Sequence, residues 1–403
     1  MEMGIENVAI IGGGSSAHIL VSLLGNDFSI KILTSRPAEW SKVVKTEFCN
    51  AENVCGKSIC GNLQLASAIP SDVVSDADYI ILCMPVHQYR HALNTIAPFV
   101  CRKKPVTIGF MYGQAGVNWM VREIITKYAF DNLRYFSFGL LPWIARTREY
   151  GHTGLNYGCK LTNFVAVEPY DYFAELNQKL LIRICHSAFG VGECLQSDNF
   201  ISLTLSVDNQ IIHPSRCYSL YRQSGGYWRN SEDIPYFYRD YDDFSADNLQ
   251  QLDSDYSSIR NAIMRKFPER KFNCMLDYLS LEHATYHSSS ADIKSSFTCS
   301  STLAAIKPPV VQASDGRWLL NYRHRFFKDD FSYGICIGKW FAEKLCLQTP
   351  MIDQLLLWAQ EIKIGHFLDD HMRLDIKGYL ANDRFGIGTP NVYDIYEWDD
   401  LLL

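Results

Sequence analysis

A glycine-rich turn between an apolar strand and a helix restricts the fold of this chain more than any other feature. The β-branched run Asn7–Ile11 predicts a strand, Gly12-x-Gly14-x-x-Ala17 follows it, and the next residues have helical periodicity. A second strand predicted at Ser29–Leu33 completes the opening βαβ unit of a dinucleotide-binding fold. Such a turn lets a pyrophosphate approach the backbone and the positive end of the helix. The predicted phosphate contacts are Gly12, Gly14, Ser15, Ser16 and Ala17.

The end of the second predicted strand bears on which nucleotide the fold accepts. Chains that bind NAD typically carry an acidic residue there for the ribose hydroxyls, but this sequence reads Thr34-Ser35-Arg36. Two hydroxyls and a guanidinium suit a 2′-phosphate, because arginine forms paired, charge-assisted bonds with phosphate. These residues favour NADPH over NADH; the alternative is that Arg36 is only a solvated surface residue. Met84 and Pro85, after a later apolar run, are assigned to the same cofactor site.

The alternation of strands and helices continues through the first half of the chain. Strands are predicted at Asp78–Met84, Val106–Phe110 and Arg134–Phe138, with helical stretches such as His87–Ile96 between them. Apolar strands separated by helices are typical of a parallel sheet that is covered on both faces. We therefore predict that residues 1–195 form an α/β Rossmann-type domain with a doubly wound parallel sheet.

The second half of the chain has a different pattern. Helical spacing dominates at Leu249–Phe267 and Phe272–Tyr286, and β-branched runs are scarce. Two loop-like regions interrupt it, Gln223–Asp243 and Lys307–Gly316, the second of which contains two consecutive prolines that cannot lie inside a helix. Residues 196–403 are therefore predicted to form a mostly α-helical domain.

The composition excludes several classes of function. There are 38 Lys+Arg against 44 Asp+Glu, a net charge of −6, and no long basic run, so we expect neither a nucleic-acid partner nor a membrane partner. The chain shows no secretory leader and no stretch of about 20 apolar residues, so a cytoplasmic location is expected. The 13 cysteines include no C-x-x-C pair, which favours reduced core thiols over a disulfide framework or a zinc site.

Two residues of the second half are candidates for proton transfer. His213 precedes a proline at a predicted element end, and Asp330 ends the run RFFKDD. An imidazole titrates near neutral pH, and a carboxylate can orient it and stabilise its charged form. The residues alone do not join the two, since a single histidine or an acidic pair is more often structural.

Other motifs carry less chemistry. His283 and His287 are four residues apart, a spacing that zinc can use, but the order differs from H-E-x-x-H and no third ligand is evident. We therefore favour a polar helix face and expect no metal. The aromatic stretch from Tyr227 to Tyr241 lacks surrounding basic residues, so it is expected to pack against helices or to cover a cleft. Motifs typical of P-loop NTPases and of esterases are absent.

Several motifs, taken in order, resemble those of the opine dehydrogenases of the octopine and nopaline type. They are the opening IIGGGSSAH, Gly113-Gln114-Ala115-Gly116, LPWIAR from Leu141, Asn209…His213-Pro214, Asn321…Arg325…Asp330…Gly334, and TPMIDQLLLWAQEI. The resemblance extends over nearly the whole chain. It implies a nucleotide-binding domain joined to a helical domain, with the active site in the cleft between them.

The resemblance also implies a reaction. It is the reductive condensation of an amino acid with an α-keto acid such as pyruvate, in which a reduced nicotinamide supplies hydride to the imine. His213 then resembles the catalytic acid/base, Asp330 its carboxylate partner and Arg325 the clamp on a substrate carboxylate. The other residues assigned to the substrate site are Gln114, Asn209 and Trp143. The family includes monomers and dimers, so the chain is expected to be a monomer or a homodimer.

Departures from the family pattern bear on specificity. Octopine-forming members carry an acidic residue and a threonine just before LPW, whereas this chain has Gly139 and Leu140, so a strongly basic amino acid is not expected as the amine. Related metallophore-forming opine dehydrogenases prefer NADPH, in agreement with Arg36. Two alternatives remain open: a β-hydroxyacid or ketopantoate-type dehydrogenase that relies on a lysine, and a non-catalytic NADPH-sensing protein.

Overall fold

A computed structural model of the protein describes most of the chain, which divides into two compact units. The described residues are 5–50, 54–186, 191–300, 303–375, 377 and 386–402. Unit 1 comprises Met1–Leu203 and Trp398–Leu403, and unit 2 comprises Thr204–Glu397. The prediction that the chain has no leader concerns its first residues, and residues 1–4 lie outside the described part. Within that part, no helix is both long enough and apolar enough to cross a membrane.

Unit 1 is built on an eight-stranded, largely parallel sheet, which confirms the predicted α/β Rossmann-type arrangement. Its strands, numbered in chain order and given in spatial order, are β12 (Glu193–Gln196), β11 (Thr162–Glu168), β8 (Leu133–Phe138), β7 (Val106–Phe110), β6 (Tyr79–Leu82), β1 (Asn7–Ile11), β2 (Ser29–Leu33) and β5 (Leu65–Ser67). Only β8 and β11 pair antiparallel within this sheet. Strands β1, β2 and β7 have the predicted bounds, whereas β6 is shorter and β8 begins one residue earlier than predicted.

Helices connect most strands of this sheet. They are α1 (Ser15–Leu24), α2 (Pro70–Val74), α3 (Tyr89–Ile96), α4 (Val117–Tyr128), α5 (Phe173–Leu176) and α6 (Ile182–Cys185). A π-helical turn, Asn177–Leu181, joins α5 to α6. The stretch predicted as helical at His87–Ile96 is a 3₁₀ turn, Val86–Gln88, followed by α3.

A second, four-stranded sheet in unit 1 was not predicted. Its strands, in spatial order, are β4 (Cys55–Asn62), β3 (Val43–Cys49), β10 (Thr153–Cys159) and β9 (Trp143–Glu149). Helix α1 is buried over its whole length from Ala17 to Leu24, and its core joins inward residues of both sheets, such as Ile10 and Val44. A Cβ atom at Gly61 would lie 2.1 Å from the carbonyl oxygen of Val21, so glycine lets β4 pack directly on α1.

One cysteine pair departs from the expectation of reduced thiols. Cys49 and Cys55 form a disulfide, so that expectation is wrong for these two residues. They are opposite each other in the antiparallel pair of β3 and β4, which brings their side chains together. Their sequence spacing did not reveal this, because the hairpin itself was not predicted. The other cysteines are not in disulfides, and those in the core include Cys83, Cys217 and Cys336.

Unit 2 is mostly helical, as predicted. After α7 (Phe200–Leu205), which spans the boundary between units, its helices are α8 (Asn209–Ser224), α9 (Asp243–Lys266), α10 (Tyr278–Tyr286), α11 (Ile293–Thr298), α12 (Arg325–Asp330), α13 (Cys336–Lys344) and α14 (Pro350–Glu361). Helix α9 begins earlier than the predicted Leu249, because the Asp242 carboxylate accepts the Ser245 N–H and caps it. Helix α10 begins later than the predicted Phe272, because Asp277 caps its first turn in the same way.

Two strands of a small antiparallel sheet lie inside the regions of unit 2 that were predicted as loops, and the third strand follows the second region directly. Strand β13 (Tyr227–Trp228) pairs with β15 (Trp318–Leu320), which also pairs with β14 (Val310–Gln312). Strand β14 begins immediately after the two consecutive prolines. Two- and three-residue strands are too short for an alternating pattern to reveal them.

The end of the chain returns to unit 1. A short helix, Trp398–Leu401, brings Asp400 to Arg122 of α4, with 2.7 Å between Nη2 and Oδ1. The predicted division at residue 195 therefore differs from the observed units at both ends of the second half. Because this ion pair joins residues that are far apart in sequence, local patterning could not indicate it.

Candidate active site

The glycine-rich turn lies directly after β1 and leads into α1. Gly12 has φ +107°, and a Cβ atom there would lie 3.0 Å from the carbonyl oxygen of Cys83, so glycine is required for both conformation and space. No side chain caps α1 at Gly14, and its first turn contains no acidic residue. The positive end of α1 is therefore available for a phosphate, which fits a dinucleotide. Ser15, Ser16 and Ala17, which were predicted to lie in the turn before the helix, form this first turn of α1.

The residues after β2 surround a tyrosine that sequence reasoning missed. The Thr34 hydroxyl lies 2.9 Å from the Tyr150 hydroxyl, and the Arg36 guanidinium lies 3.4 Å from the centroid of the same ring. Nη1 of Arg36 also lies 3.3 Å from the Glu39 carboxylate. Ser35 and Arg36 are exposed, which leaves them accessible to a nucleotide. No local signal indicates Tyr150, because it lies in the turn between β9 and β10.

His18 fastens that turn to the glycine-rich loop. Its Nε2 accepts the Gly151 N–H at 2.7 Å, so Nδ1 carries the proton and donates to the Gly14 carbonyl oxygen at 2.9 Å. Burial lowers the pKa of His18, which keeps the imidazole neutral in this arrangement. Tyr150, next to Gly151, is thereby held beside Thr34 and Arg36.

The remaining predicted residues of unit 1 have different environments. Met84 and Pro85 follow β6 and are half-buried. Gln114 is buried in the loop between β7 and α4, where its Oε1 accepts the Tyr112 hydroxyl at 2.8 Å. Trp143, the first residue of β9, is 2% exposed and belongs to the hydrophobic core of unit 1. Its side chain thus packs in the core of this unit.

Unit 2 joins the two residues that the sequence could not connect. Nδ1 of His213, on α8, lies 2.8 Å from Oδ2 of Asp330, at the end of α12, although the two are 117 residues apart. Each residue is 2% exposed. Asn209, the first residue of α8, precedes His213 by about one helical turn. One proton lies between Nδ1 and Oδ2, which leaves Nε2 as the nitrogen that exchanges a proton.

Pro214 lies inside α8, so the predicted element end at this position is wrong. Proline in a helix interior removes one backbone hydrogen bond and costs about 3 kcal/mol. Residues 210–220 of the helix are all buried, and the Ser215 hydroxyl donates to the Ile211 carbonyl oxygen at 2.7 Å. Tertiary packing therefore holds the helix through a residue that ordinarily ends one.

Burial and nearby cations control the titration of the pair. Burial lowers the pKa of His213 well below its usual value, and the charges of Arg325 and His324 act in the same direction. Burial raises the pKa of Asp330, which Arg325 opposes. His213 is consequently neutral near neutral pH, the form in which an imidazole accepts a proton.

Arg325 is the first residue of α12 and is exposed. Its guanidinium carbon lies 5.3 Å from the centroid of the Phe326 ring. Among the described residues, no carboxylate pairs with it. A guanidinium in this state can form a bidentate pair with a substrate carboxylate, close to the pair whose pKa values it influences.

Aromatic residues surround the imidazole of His213. Phe326 stacks on it with a centroid distance of 3.4 Å, and the Phe237 centroid lies at 5.9 Å. The Tyr238 hydroxyl lies 3.4 Å from Nε2. The sequence indicated only that this aromatic stretch packs against helices or covers a cleft. A π-helical turn, Phe331–Ile335, follows Asp330 directly; such turns are frequent at functional sites.

The side chains that could bind a metal have other environments. His287 has φ +53° and follows the end of α10, so the expected helix face shared with His283 is not formed. Within the described ranges, the set of three neighbouring ligand atoms belongs to Glu47, Cys49 and Cys55. Both sulfur atoms are in the disulfide, and Glu47 forms ion pairs with two basic residues.

Comparisons with known proteins bear on the helical domain and on the chain as a whole. The family model described as the α-helical domain of NAD/NADP octopine/nopaline dehydrogenase matches residues 196–363. The tauropine dehydrogenase of Arabella iricolor is 25% identical over 400 residues, which cover 95% of this chain and 98% of the relative.

Two solved structures show the same fold. Octopine dehydrogenase with NADH and L-arginine has a TM-score of 0.79 at 21% identity, with 98% of each chain covered. Yersinopine dehydrogenase with bound NADP+ has a TM-score of 0.62 at 13% identity, with 89% of this chain and 90% of the other covered. Residues 196–363 are therefore similar to the α-helical domain of the octopine/nopaline dehydrogenases, and the chain as a whole is similar to opine dehydrogenases in sequence and in fold.

Proposed function

We propose that the protein is an NADPH-dependent opine dehydrogenase that condenses an amino acid with an α-keto acid such as pyruvate and reduces the resulting imine. The observation that carries the proposal is the buried pair of His213 and Asp330, with the exposed guanidinium of Arg325 nearby, which has no carboxylate partner in the described part of the chain. An acid/base group and an anion-binding group are both needed for this condensation.

The residues of unit 1 fit a nicotinamide dinucleotide. Gly12 and Gly14 leave space for the pyrophosphate, and the uncapped first turn of α1 offers N–H donors. Thr34, Ser35 and Arg36 would hold the 2′-phosphate of the adenosine. The Tyr150 ring packs against the guanidinium of Arg36 and would keep it in place. When bound, the reduced nicotinamide supplies a hydride.

His213 serves both proton steps of the condensation. The incoming amine is an ammonium ion in solution, and its proton passes to the Nε2 side of the neutral imidazole so that the nitrogen can attack the keto carbon. Asp330 stabilises the imidazolium that forms. After the attack, a proton moves from the new cationic nitrogen to the alkoxide oxygen and gives the carbinolamine. The imidazolium then returns its proton to this hydroxyl, which leaves as water, and the protonated imine remains. One proton is taken up and one is released, so the pair ends as it began.

Loss of the Arg325 guanidinium should weaken binding of the keto acid. We expect Arg325→Ala to raise the KM for pyruvate about 10- to 100-fold, because hydrogen bonds to charged groups contribute about 1.5–3 kcal/mol. Turnover at saturating keto acid should change less than KM. Arg323→Ala, a nearby exposed arginine, is the control and should leave KM within about twofold. An unchanged KM in Arg325→Ala would contradict the clamp.

The amine is proposed to be an amino acid without a cationic side chain. Gly139 and Leu140 stand just before LPW, and neither carries a charge that would hold a guanidinium or ammonium group. Leu140 is buried and apolar, so it offers no counter-charge to a cationic side chain.

The direct experiment follows oxidation of NADPH with pyruvate or 2-oxoglutarate, first alone and then with each amino acid added. Oxidation that requires both substrates, with an N-(carboxyalkyl) amino acid identified by mass spectrometry, establishes the reaction. Oxidation by the keto acid alone would replace it with the hydroxyacid-dehydrogenase alternative. Absence of oxidation with every pair, in a protein that binds NADPH, would favour a sensor.

Arg36 is expected to determine the preference for NADPH. Arg36→Ala should lower the ratio of the NADH dissociation constant to that of NADPH about tenfold, since a charge-assisted contact to the 2′-phosphate is lost. Glu39→Gln is the matched variant: it removes the ion-pair partner of Arg36 and should leave or modestly raise that ratio. Titration of both cofactors by fluorescence gives the ratio, and an equal ratio in wild type and Arg36→Ala would refute the assignment.

A further inference from the structure

The reactive nitrogen of His213 faces a second proton-bearing group. Nδ1 is engaged by Asp330, and the Tyr238 hydroxyl lies 3.4 Å from Nε2. Phe326 covers one face of the ring at a centroid distance of 3.4 Å and an interplanar angle of 12°. With His213 itself only 2% exposed, a proton that leaves Nε2 meets the Tyr238 oxygen first.

Tyr238 is held in this place by a buried arginine on the same helix as His213. Arg216, three residues after His213 on α8, donates from Nε to the Phe237 carbonyl oxygen at 3.1 Å and from Nη2 to the Asp240 carbonyl oxygen at 2.7 Å. These carbonyl groups flank Tyr238 on both sides in sequence. The ring of Tyr238 also contacts Phe297, with 5.4 Å between centroids. The tyrosine and the histidine are thus fixed to one helix.

The environment of Tyr238 keeps its hydroxyl protonated. The residue is buried, and burial raises the pKa of the phenol, an effect that the charge of Asp208 reinforces. A neutral imidazole whose Nδ1 proton points to Asp330 presents a lone pair at Nε2. The Tyr238 hydroxyl can donate to that lone pair and can accept a proton on its oxygen at the same time.

We propose that the Tyr238 hydroxyl relays the proton between Nε2 of His213 and the substrate. The relay rests on the proposed function. As the substrate ammonium gives a proton to the phenolic oxygen, the phenolic proton moves to Nε2. In the dehydration step the imidazolium returns a proton to the phenolic oxygen while the phenolic proton moves to the carbinolamine hydroxyl, which leaves as water. Tyr238 is unchanged after each step, and no net charge stays on it.

Tyr238 could relay the proton, or it could act as a cap that simply covers Nε2 until the substrate binds. The two roles predict opposite effects when the hydroxyl is removed. If Tyr238 relays the proton, Tyr238→Phe removes the only donor and acceptor described at Nε2, and turnover falls by about 100-fold, the usual scale for one proton-transfer group. If Tyr238 only covers Nε2 until the substrate displaces it, the same change uncovers the base and turnover stays or rises. The relay also moves two protons in one step, whereas the cap moves one.

The test compares Tyr238→Phe with Tyr241→Phe, a buried tyrosine of the same segment that also contacts Phe297. Turnover, the KM for pyruvate, NADPH affinity and the thermal midpoint are measured for both. We expect about 100-fold lower turnover only in Tyr238→Phe, with KM and NADPH affinity within about threefold of wild type. In mixtures of light and heavy water, the wild-type rate should curve with deuterium fraction and the Tyr238→Phe rate should be linear.

Other outcomes overturn the relay. Turnover in Tyr238→Phe within threefold of wild type, or a linear dependence on deuterium fraction in the wild type, would do so while the wild-type condensation itself stands. No wild-type condensation would overturn the proposed function and the relay together. If the thermal midpoint of Tyr238→Phe is lowered, a second variant with 3-fluorotyrosine at position 238 is measured instead, because it keeps the hydroxyl and nearly the same ring volume. An unaltered rate and deuterium response with this more acidic phenol would then be the contradicting result.

Discussion

Replacing His213 by alanine is expected to lower turnover of the condensation by about a thousandfold while the dissociation constant for NADPH stays within about twofold. In the proposed reaction the imidazole takes up the proton of the amine and returns it to the leaving hydroxyl, and the residues proposed to bind the cofactor are in the other unit. Asp330 would be left buried without its partner, so the variant is also checked for an intact helical circular-dichroism spectrum.

The control for this prediction is His283→Ala. His283 lies on α10 in the same unit, where its Nε2 contacts the Ser290 carbonyl oxygen at 2.8 Å, and no catalytic role is assigned to it. Turnover should remain within about twofold of wild type. Asp330→Asn should retain the fold and lose turnover to a lesser extent than His213→Ala, because it removes orientation and charge but leaves the base. Retained turnover in His213→Ala would exclude histidine acid/base catalysis and favour the lysine-dependent alternative.

The sequence predicted the part of the fold in which local pattern and burial agree. Strands β1 and β7 are short runs that are almost wholly buried, β2 alternates between buried and half-buried residues, and the bounds of all three were predicted correctly. The second sheet was not predicted because its strands lack such a pattern: β4, for example, is mostly exposed and rich in glycine and polar residues. One signal was present: α1 is apolar on almost every face, which indicates that a second layer must cover it.

The residues of the candidate site also could not be connected from local sequence patterns. His213 and Asp330 were identified through a resemblance, since 117 residues separate them and no local pattern connects them. Tyr238 and Arg216 were not singled out, because one was part of an aromatic run and the other an ordinary helical arginine. Their roles depend on a buried hydrogen-bond geometry that only the fold assembles. Pro214 misled the prediction for the converse reason, because packing outweighs its helix-breaking tendency.

Arg216→Met is expected to destabilise unit 2 by about 3–5 kcal/mol, because three acceptors lose their donor and each buried acceptor left without one costs about 1–3 kcal/mol. Arg216 is 1% exposed and donates to the carbonyl oxygens of Phe237 and Asp240 and, at 2.6 Å, to the hydroxyl of Ser245. Methionine fills much of the volume but leaves these acceptors without a donor. The measurement is the free energy of unfolding from urea denaturation, followed by the helical signal.

The matched control is Arg239→Met on the same segment. Arg239 is about half exposed, and its ion pair with Asp240 spans 3.3 Å at the surface, so its loss should change stability by no more than about 0.5 kcal/mol. Arg216→Lys keeps the charge but cannot reproduce the planar fork, so it should fall between wild type and Arg216→Met. If Arg216→Met unfolds at the same urea concentration as Arg239→Met, the arginine does not hold this segment to α8. The position of Tyr238 at Nε2 would then need another support, because the two carbonyl groups beside it would be held by nothing else described.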